Sequence, residues 1–273
     1  MVKTNMSVKH VSIRQRMRVK QETRNFYNGI FIDLGELVLF TGKVIRQMFI
    51  PPFEYRELVR QSFLLGNKSF ALVVVTGFIM GLVLTMQMNP ILSDFGAQTL
   101  LPGVIAVSMV RELGPVITGL ICAGKISSGI GAEIAAMRVT EQIDAMEVSG
   151  TRPLSYVVAS RVLATTIVVP VLVIFADAFS LLGAFLAVNL FEDTSATLFL
   201  NRSFSMLGFI DLFPATLKTV LFGFFIGLIG SFKGYNAGRG TESVGLSANS
   251  AVVVSSLTIF VIDLIFVLIT SIL

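Results

Sequence analysis

Residues 69–88, SFALVVVTGFIMGLVLTMQM, form a stretch of twenty residues with no charged side chain. A helix needs about 20 apolar residues to cross a hydrocarbon layer about 30 Å thick. Inside lipid, the backbone N–H and C=O groups find no water and must bond to each other within a helix or a closed barrel. The stretch therefore predicts a transmembrane helix.

Four further apolar runs are also long enough to cross a membrane. The chain is 54% hydrophobic and 14% charged, whereas a soluble domain carries about 25% charged residues. Ten-residue segments of alternating hydrophobicity, which are typical of a transmembrane β-barrel, are absent from the sequence. The sequence predicts an all-α integral membrane protein, with transmembrane helices at residues 69–88, 102–124, 162–190, 212–232 and 248–273.

Positive charges lie on one side of these runs. With the N-terminus inside, the predicted inner segments 1–26, 125–161 and 233–246 hold seven, four and two Lys or Arg residues. The predicted outer segments 89–101 and 191–205 hold none and one. Because Lys and Arg are retained on the cytoplasmic side, the pattern predicts a cytoplasmic N-terminus and a C-terminus on the opposite side of the membrane.

The first fifty residues contain no predicted span. Residues 1–26 carry seven Lys or Arg against the single acid Glu22, which is typical of a basic cytoplasmic tail beside anionic lipid headgroups. No short apolar core of a secretory signal peptide follows this tail. Residues 27–50 have an apolar helical stripe but also four charges, so they predict an amphipathic helix in the membrane interface. The predicted division is a tail, 1–26, and a membrane domain, 27–273.

Residues 119–125 have the spacing of a nucleotide-binding P-loop, G-x-x-x-x-G-K, but the next residue is Ile126, which has no hydroxyl for a magnesium ion. A P-loop also joins a strand to a helix, and this segment lies inside an apolar run. The single cysteine and the single histidine exclude a disulfide or a Cys/His metal cluster within one chain. The sequence therefore predicts neither an ATPase nor a metalloenzyme.

The segment after the second run, AEIAAMRVTEQIDAMEVSGTRP, is too charged for the hydrocarbon layer and consists largely of helix-forming residues. Its apolar stripe and the acidic stripe beside it predict one amphipathic helix over 133–149, which ends before Gly150 and Pro153. This helix is either a surface connection between two spans or a docking helix whose acidic edge meets a basic partner.

Four charged residues occur in pairs within or directly beside the predicted spans, where each costs about 2.5–3.5 kcal/mol without a partner, water or an interfacial position. Arg111 and Glu112 are about 100° apart on one helix, and Asp211 and Lys218 are about 10 Å apart along another. Because the four charges sum to zero, they predict cross-pairing between the second and fourth spans. They either hold the helices together or line a cavity for a lipid headgroup, with Arg111 or Lys218 at the phosphate.

Two more acidic residues, Asp177 and Asp263, lie nearer the predicted bilayer centre, with no obvious basic partner at the same depth. A charged residue at this depth is costly and marks either a bonded partner or an ion pathway. We expect these carboxyl groups to be protonated, to bond to Ser or Thr on another helix, or to form a proton path.

Two pairs of glycines are spaced four residues apart within predicted spans. This spacing places two small residues on one face of a helix, so that the backbone of a neighbouring helix can come close. The partner helix belongs either to the same protomer or to a second copy in a dimer. The pairs are Gly77 with Gly81 and Gly223 with Gly227.

Residues 111–150, RELGPVITGLICAGKISSGIGAEIAAMRVTEQIDAMEVSG, resemble the signature of the MlaE-type permease family. The matching pattern is R-E-L-G-P, then A-G-[RK], then A-E, then T-E-Q-I-D-A-[LM]-E-V-x-G. Residues 222–256 resemble the family's fourth span, inner loop and last helix. The likeness extends from residue 33 to the C-terminus and departs at Ser231, where many members have a cysteine.

The resemblance implies a homodimeric membrane subunit of an ABC system that moves phospholipids, located in the cell inner membrane with a periplasmic C-terminus. Lipid is expected in an outward-facing cavity between the protomers. The chain itself is expected to hold no cofactor, because ATP is bound by a separate cytoplasmic ABC ATPase. An MCE-domain substrate-binding protein and a small STAS-domain regulator are further implied partners. The residues expected at the ATPase are Glu133, Arg138, Glu141, Gln142, Asp144 and Glu147.

The residues and the resemblance together predict a permease subunit that is not itself an enzyme. In this prediction the separate ATPase pushes the helix at 133–149. The spans then rock, and the cavity near Arg111 and Lys218 changes its exposure. One alternative is an ion-coupled secondary transporter that uses Asp177 and Asp263 as proton carriers. Another is a membrane scaffold with no transport role. Co-purification of an ATPase favours the first prediction, and proton-dependent uptake without an ATPase favours the ion-coupled transporter.

Overall fold

The computed structural model of the chain describes residues 34–51, 54–191 and 193–272. The basic tail at 1–26 and residues 27–33 of the predicted interfacial helix lie outside the described residues. The described residues divide into two units, with the boundary between Arg46 and Gln47. Helix α1 covers residues 34–48. The later part of the predicted interfacial helix is therefore helical, and its location at a membrane surface stays a prediction.

Five helices among the described residues are long and apolar enough to cross a membrane, which confirms the predicted all-α membrane fold. Each begins earlier in the chain than the predicted span, because polar turns outside the hydrocarbon continue the backbone bonding of the helix. Two shorter helices, α4 (Gln142–Val148) and α6 (Ala196–Met206), lie between them. The five long helices are α2 (Tyr55–Asp94), α3 (Gln98–Val139), α5 (Leu154–Val188), α7 (Phe209–Tyr235) and α8 (Glu242–Ile272).

Helix α3 is continuous although it contains two prolines. Pro102 lies near its start, where a missing backbone N–H costs little. Pro115 lies two residues after a π-helical turn at Met109–Leu113, and the N–H of the intervening Gly114 closes that turn on the carbonyl of Met109. A second π-helical turn covers Ala123–Ser127. The segment with P-loop spacing is therefore helical, and it has no loop in which backbone N–H groups could surround a phosphate.

The predicted single helix over 133–149 is wrong in its extent. Helix α3 continues to Val139, and α4 begins only at Gln142. Between them, the hydroxyl of Thr140 donates to the carbonyl of Ala136, and Glu141 adopts a left-handed φ of 58°. A non-glycine residue in this conformation turns the chain out of the helix. Helical propensity and periodicity did not reveal this turn, because it depends on the conformation of one residue.

Helix α5 packs against α2 on one side and α7 on another, and the glycine pairs make both contacts. Gly77 and Gly81 on α2 lie against the backbone of Ala176 and Ser180 on α5. Gly223 and Gly227 on α7 lie against the α5 segment that contains Val162 and Thr165. Both glycine pairs therefore contact a helix of the same chain, which was one of the two kinds of partner predicted for them.

Gly81→Ala is expected to destabilise the protein, because the new methyl group would overlap the backbone carbonyl of Ser180. Overpacking of this kind costs about 1–3 kcal/mol. The measurement is thermal unfolding of the detergent-purified protein. Gly245→Ala on α8 is the control, since nothing lies within 4 Å of the added carbon atom. Equal unfolding temperatures for the two variants would contradict the close α2–α5 contact.

Candidate functional site

An ionic network joins three long helices in the interior of the bundle. The Nζ atom of Lys218 on α7 lies 2.5 Å from Glu112 Oε2 on α3 and 2.9 Å from Asp263 Oδ1 on α8. Arg111 on α3 lies 3.4 Å from Asp211 on α7 and 4.0 Å from its neighbour Glu112. The charges of the second and fourth predicted spans are therefore brought together, and a fifth residue from the last span joins them. We call these five residues the ionic network.

Local structure sets the direction of each side chain in the ionic network. Arg111 and Glu112 lie in the π-helical turn of α3, which changes the register of the side chains relative to a regular α-helix. Asp211 lies in the first turn of α7, where its Oδ2 also accepts a hydrogen bond of 3.1 Å from the backbone N–H of Gly208. Lys218 is two turns further along α7. Asp211 and Lys218 therefore reach different partners on α3.

The interpretation of Asp263 as lacking a basic partner is wrong, since this carboxylate accepts a hydrogen bond from Lys218. The error came from the predicted ends at residues 212 and 273, whereas the fourth of the long helices begins at Phe209 and the last reaches Ile272 among the described residues. With the observed helix ends, Lys218 is nine residues from Phe209 and Asp263 is nine residues from Ile272. The two side chains are thus at the same depth in the bundle, and a sequence analysis that used these helix ends would have predicted the pair.

Asp177 on α5 has a different environment. Its Oδ1 atom is buried and has no hydrogen-bond partner in the described part of the chain. The same atom lies against Gly114, directly after the π-helical turn of α3, where a larger residue would overlap it. Of the predicted roles, bonding to a Ser or Thr through this oxygen is not found.

The ionic network borders a shallow depression with a volume of about 10 Å³, which is the space of one water molecule. Phe266 and Thr270 of α8 form its other wall. Within the network, exposure differs sharply: the side chain of Lys218 is 2% exposed, and that of Arg111 is 41% exposed. Arg111 is therefore the cation that a ligand in this depression can reach, and Lys218 is enclosed by its two carboxylates.

A second polar group lies at the far end of α3, around α4. Ile143 anchors α4 and is fully buried. Arg138 on α3 pairs with Asp144 on α4 at 2.5 Å, and the hydroxyl of Tyr235 at the end of α7 donates to Glu147 at 3.3 Å. Helix α4 is thus bonded to the ends of two long helices. Sequence reasoning missed Tyr235, because its partner is distant in the chain.

Glu133 is bonded to another long helix, although it lines one depression together with Gln142, a second residue predicted to meet an ATPase. It lies on α3, six residues before the end of that helix, and pairs with Arg161 Nη2 on α5 at 2.8 Å. The side chain of Arg161 is buried, although the sequence assigned it to an inner loop. Glu141, Gln142, Asp144 and Glu147 remain exposed on or beside α4. In the described residues, no group of three or more His, Cys, Asp or Glu residues is arranged to hold a metal ion.

The five long apolar helices, with an ionic network between them, define a multi-pass helical membrane protein. A family model described as Permease MlaE matches residues 58–269, so the chain belongs to the MlaE permease family. A probable ABC transporter permease protein of Rickettsia prowazekii is 38% identical over 229 residues, which cover 84% of this chain and 88% of that protein. The chain is therefore a membrane permease subunit, and its family implies a partner ATPase.

More distant relatives extend this comparison to photosynthetic organisms. A probable ABC transporter permease protein of Synechocystis is 33% identical over 85% of this chain and 88% of that protein. The Arabidopsis thaliana protein TRIGALACTOSYLDIACYLGLYCEROL 1, chloroplastic, is 28% identical over 82% of this chain and 64% of that protein. These relatives support an ABC permease and do not favour the ion-coupled secondary transporter.

Proposed function

We propose that the chain is the membrane subunit of an ABC-type phospholipid transport system, with a homodimeric lipid pathway driven by a separate ATPase. The observation that carries this proposal is the ionic network, in which the half-exposed guanidinium of Arg111 is held between helices. A guanidinium in this position matches the oxygen atoms of a lipid phosphate. The name of the Arabidopsis relative refers to a diacylglycerol glycolipid, which supports a lipid as the cargo.

The proposed location is the cell inner membrane, with the N-terminus in the cytoplasm and the C-terminus in the periplasm. The distribution of Lys and Arg supports this orientation. It places α4 on the cytoplasmic side, where the ATPase that binds ATP is available. It places the ionic network in the outer half of the bilayer, toward an MCE-domain protein. A small STAS-domain regulator on the cytoplasmic side completes the proposed set of partners.

Helix α3 connects the ionic network to the polar group around α4, which supports the transmission of movement between them. Arg111 and Arg138 are 27 residues apart on this helix, a distance of about 40 Å at 1.5 Å per residue. When the ATPase binds ATP, it moves α4, and the pairs Arg138–Asp144 and Glu147–Tyr235 carry this movement to α3 and α7. The depression beside Arg111 then changes its exposure to lipid. The chain binds and moves the lipid, and the partner hydrolyses ATP.

The surface that docks the ATPase is proposed to be the exposed side of α4. Asp144 and Glu147 already have partners within the chain, so their replacement would disturb α4 itself. Glu141 and Val148 are better test positions, because both are exposed and Val148 directs an apolar side chain into solvent with 91% exposure. Large exposed apolar side chains beside charges are typical of a protein–protein interface.

The double variant Glu141→Lys with Val148→Asp is expected to retain its fold and to lose at least about tenfold in affinity for the ATPase, or about 1.4 kcal/mol. Co-purification of the two subunits from a mild detergent measures this loss. Glu242→Lys, at the exposed first residue of α8, is the control for the Glu→Lys replacement at residue 141. Unchanged ATPase recovery with the double variant would contradict docking at α4.

A further inference from the structure

We propose that the ionic network selects a zwitterionic phospholipid headgroup, with the phosphate at Arg111 and the ammonium group at the carboxylates of Glu112 and Asp211. This inference rests on the proposed phospholipid transport and adds the class of headgroup.

Only one of the two cations can receive a phosphate. Lys218 is 2% exposed, and both of its carboxylate partners lie within 2.9 Å of its Nζ atom. Arg111 is 41% exposed, and its ion pairs are longer, at 3.4 Å to Asp211 and 4.0 Å to Glu112. A guanidinium has five N–H donors, and Arg111 donates one hydrogen bond to Asp211. Its remaining donors suit two oxygen atoms of a phosphate.

The total charge of the ionic network disfavours the binding of a lipid headgroup that carries a negative charge and no positive charge. Two cations, Arg111 and Lys218, face three carboxylates, so the network has a charge of −1 when all groups are ionised. A phosphodiester with no positive group would bring the total to −2 in a region of low dielectric constant. A zwitterionic headgroup carries its own ammonium group and leaves the total at −1.

The carboxylates around Arg111 are placed to receive that ammonium group. The side chains of Glu112 and Asp211 are 35% and 20% exposed, so both can be reached from the depression beside Arg111. In an ethanolamine headgroup the ammonium is two carbon atoms from the phosphate ester oxygen. That separation is comparable to the 3.4–4.0 Å between the guanidinium nitrogens and the carboxylate oxygens. The depression itself holds only about one water molecule, so the headgroup would lie over its mouth, where the exposed parts of Arg111 and of a carboxylate can be contacted together.

The test uses the full complex with its ATPase, reconstituted in vesicles with equal amounts of phosphatidylethanolamine and phosphatidylglycerol. The lipid that stays bound after purification is identified by mass spectrometry. We expect phosphatidylethanolamine to be enriched at least about tenfold over phosphatidylglycerol, which corresponds to 1.4 kcal/mol. Asp211→Asn removes one negative charge and keeps an oxygen to accept the Gly208 N–H. This variant is expected to bind phosphatidylglycerol with most of the preference lost.

Asp94→Asn is the matched control, because Asp94 is an exposed acid at the end of α2, outside the ionic network. It is expected to keep the preference of the unmodified chain. Binding of both lipids in equal amounts by the unmodified complex, or a preference for phosphatidylglycerol, would overturn the headgroup assignment and leave phospholipid transport standing. Absence of any bound or transferred phospholipid would instead overturn the proposed function.

Discussion

Lys218→Met is expected to lower the free energy of unfolding by about 3–5 kcal/mol, the cost of removing one partner from a buried ion pair. Methionine fills nearly the same volume, so the loss comes from the charge. Without the ammonium group, Glu112 and Asp263 lie close to each other with no cation between them. Thermal unfolding in detergent, followed by size-exclusion chromatography, measures the effect.

Two further variants test whether the loss of stability is specific to the charge of Lys218. Lys125→Met removes an exposed lysine from α3 and is expected to unfold at nearly the original temperature. Adding Glu112→Gln and Asp263→Asn to Lys218→Met is expected to recover part of the stability, because a set of neutral polar groups has no unpaired charge. If Lys218→Met and Lys125→Met were equally stable, the ionic network would not contribute to the fold as the geometry indicates.

Arg111→Ala is expected to abolish lipid transfer and to leave assembly with the ATPase intact. Charge-assisted hydrogen bonds contribute about 1.5–3 kcal/mol each, so the loss of a bidentate contact reduces lipid binding by at least about tenfold. The fold should survive, because the side chain of Arg111 is partly exposed and its ion pairs are long. The measurement is the transfer of labelled phospholipid from vesicles by the reconstituted complex.

Arg111→Lys and Arg202→Ala separate the causes of a loss at Arg111. Lysine keeps the positive charge without the planar set of donors, so an intermediate rate of transfer is expected. Arg202 lies on α6, outside the ionic network, and its replacement by alanine is expected to have little effect. Normal transfer by a well-assembled Arg111→Ala complex would remove this residue from the lipid pathway.

The Arg111 and Lys218 variants also distinguish binding from structural support. Arg111 is exposed and weakly paired, and Lys218 is enclosed and closely paired. Substitution at Arg111 should therefore change transfer more than stability, and substitution at Lys218 should change stability first. The sequence had offered both residues as phosphate ligands on equal terms. Their different exposure in the folded chain assigns the ligand role to Arg111 in the proposed mechanism.

The break between α3 and α4 shows a limit of sequence patterns. The residues on either side have helical periodicity, and the apolar stripe passes through 133–149 without interruption. A single residue with positive φ, Glu141, nevertheless ends one helix and starts the next. Its conformation is held by contacts on both sides, including Arg138 with Asp144 and the burial of Ile143. Side-chain periodicity contains no information about such contacts.

The sequence by itself determined the membrane class, the number of long helices and the clustering of charge in the second and fourth spans. Hydrophobicity, charge and the length needed to cross a bilayer are properties of local segments, so they can be counted along the chain. The tertiary structure decided which charges pair, that Asp263 joins Lys218, and that Glu133 bonds to Arg161 rather than to the α4 surface. These partners are between 28 and 106 residues apart, and the packing of helices through small residues such as Gly81 brings them together.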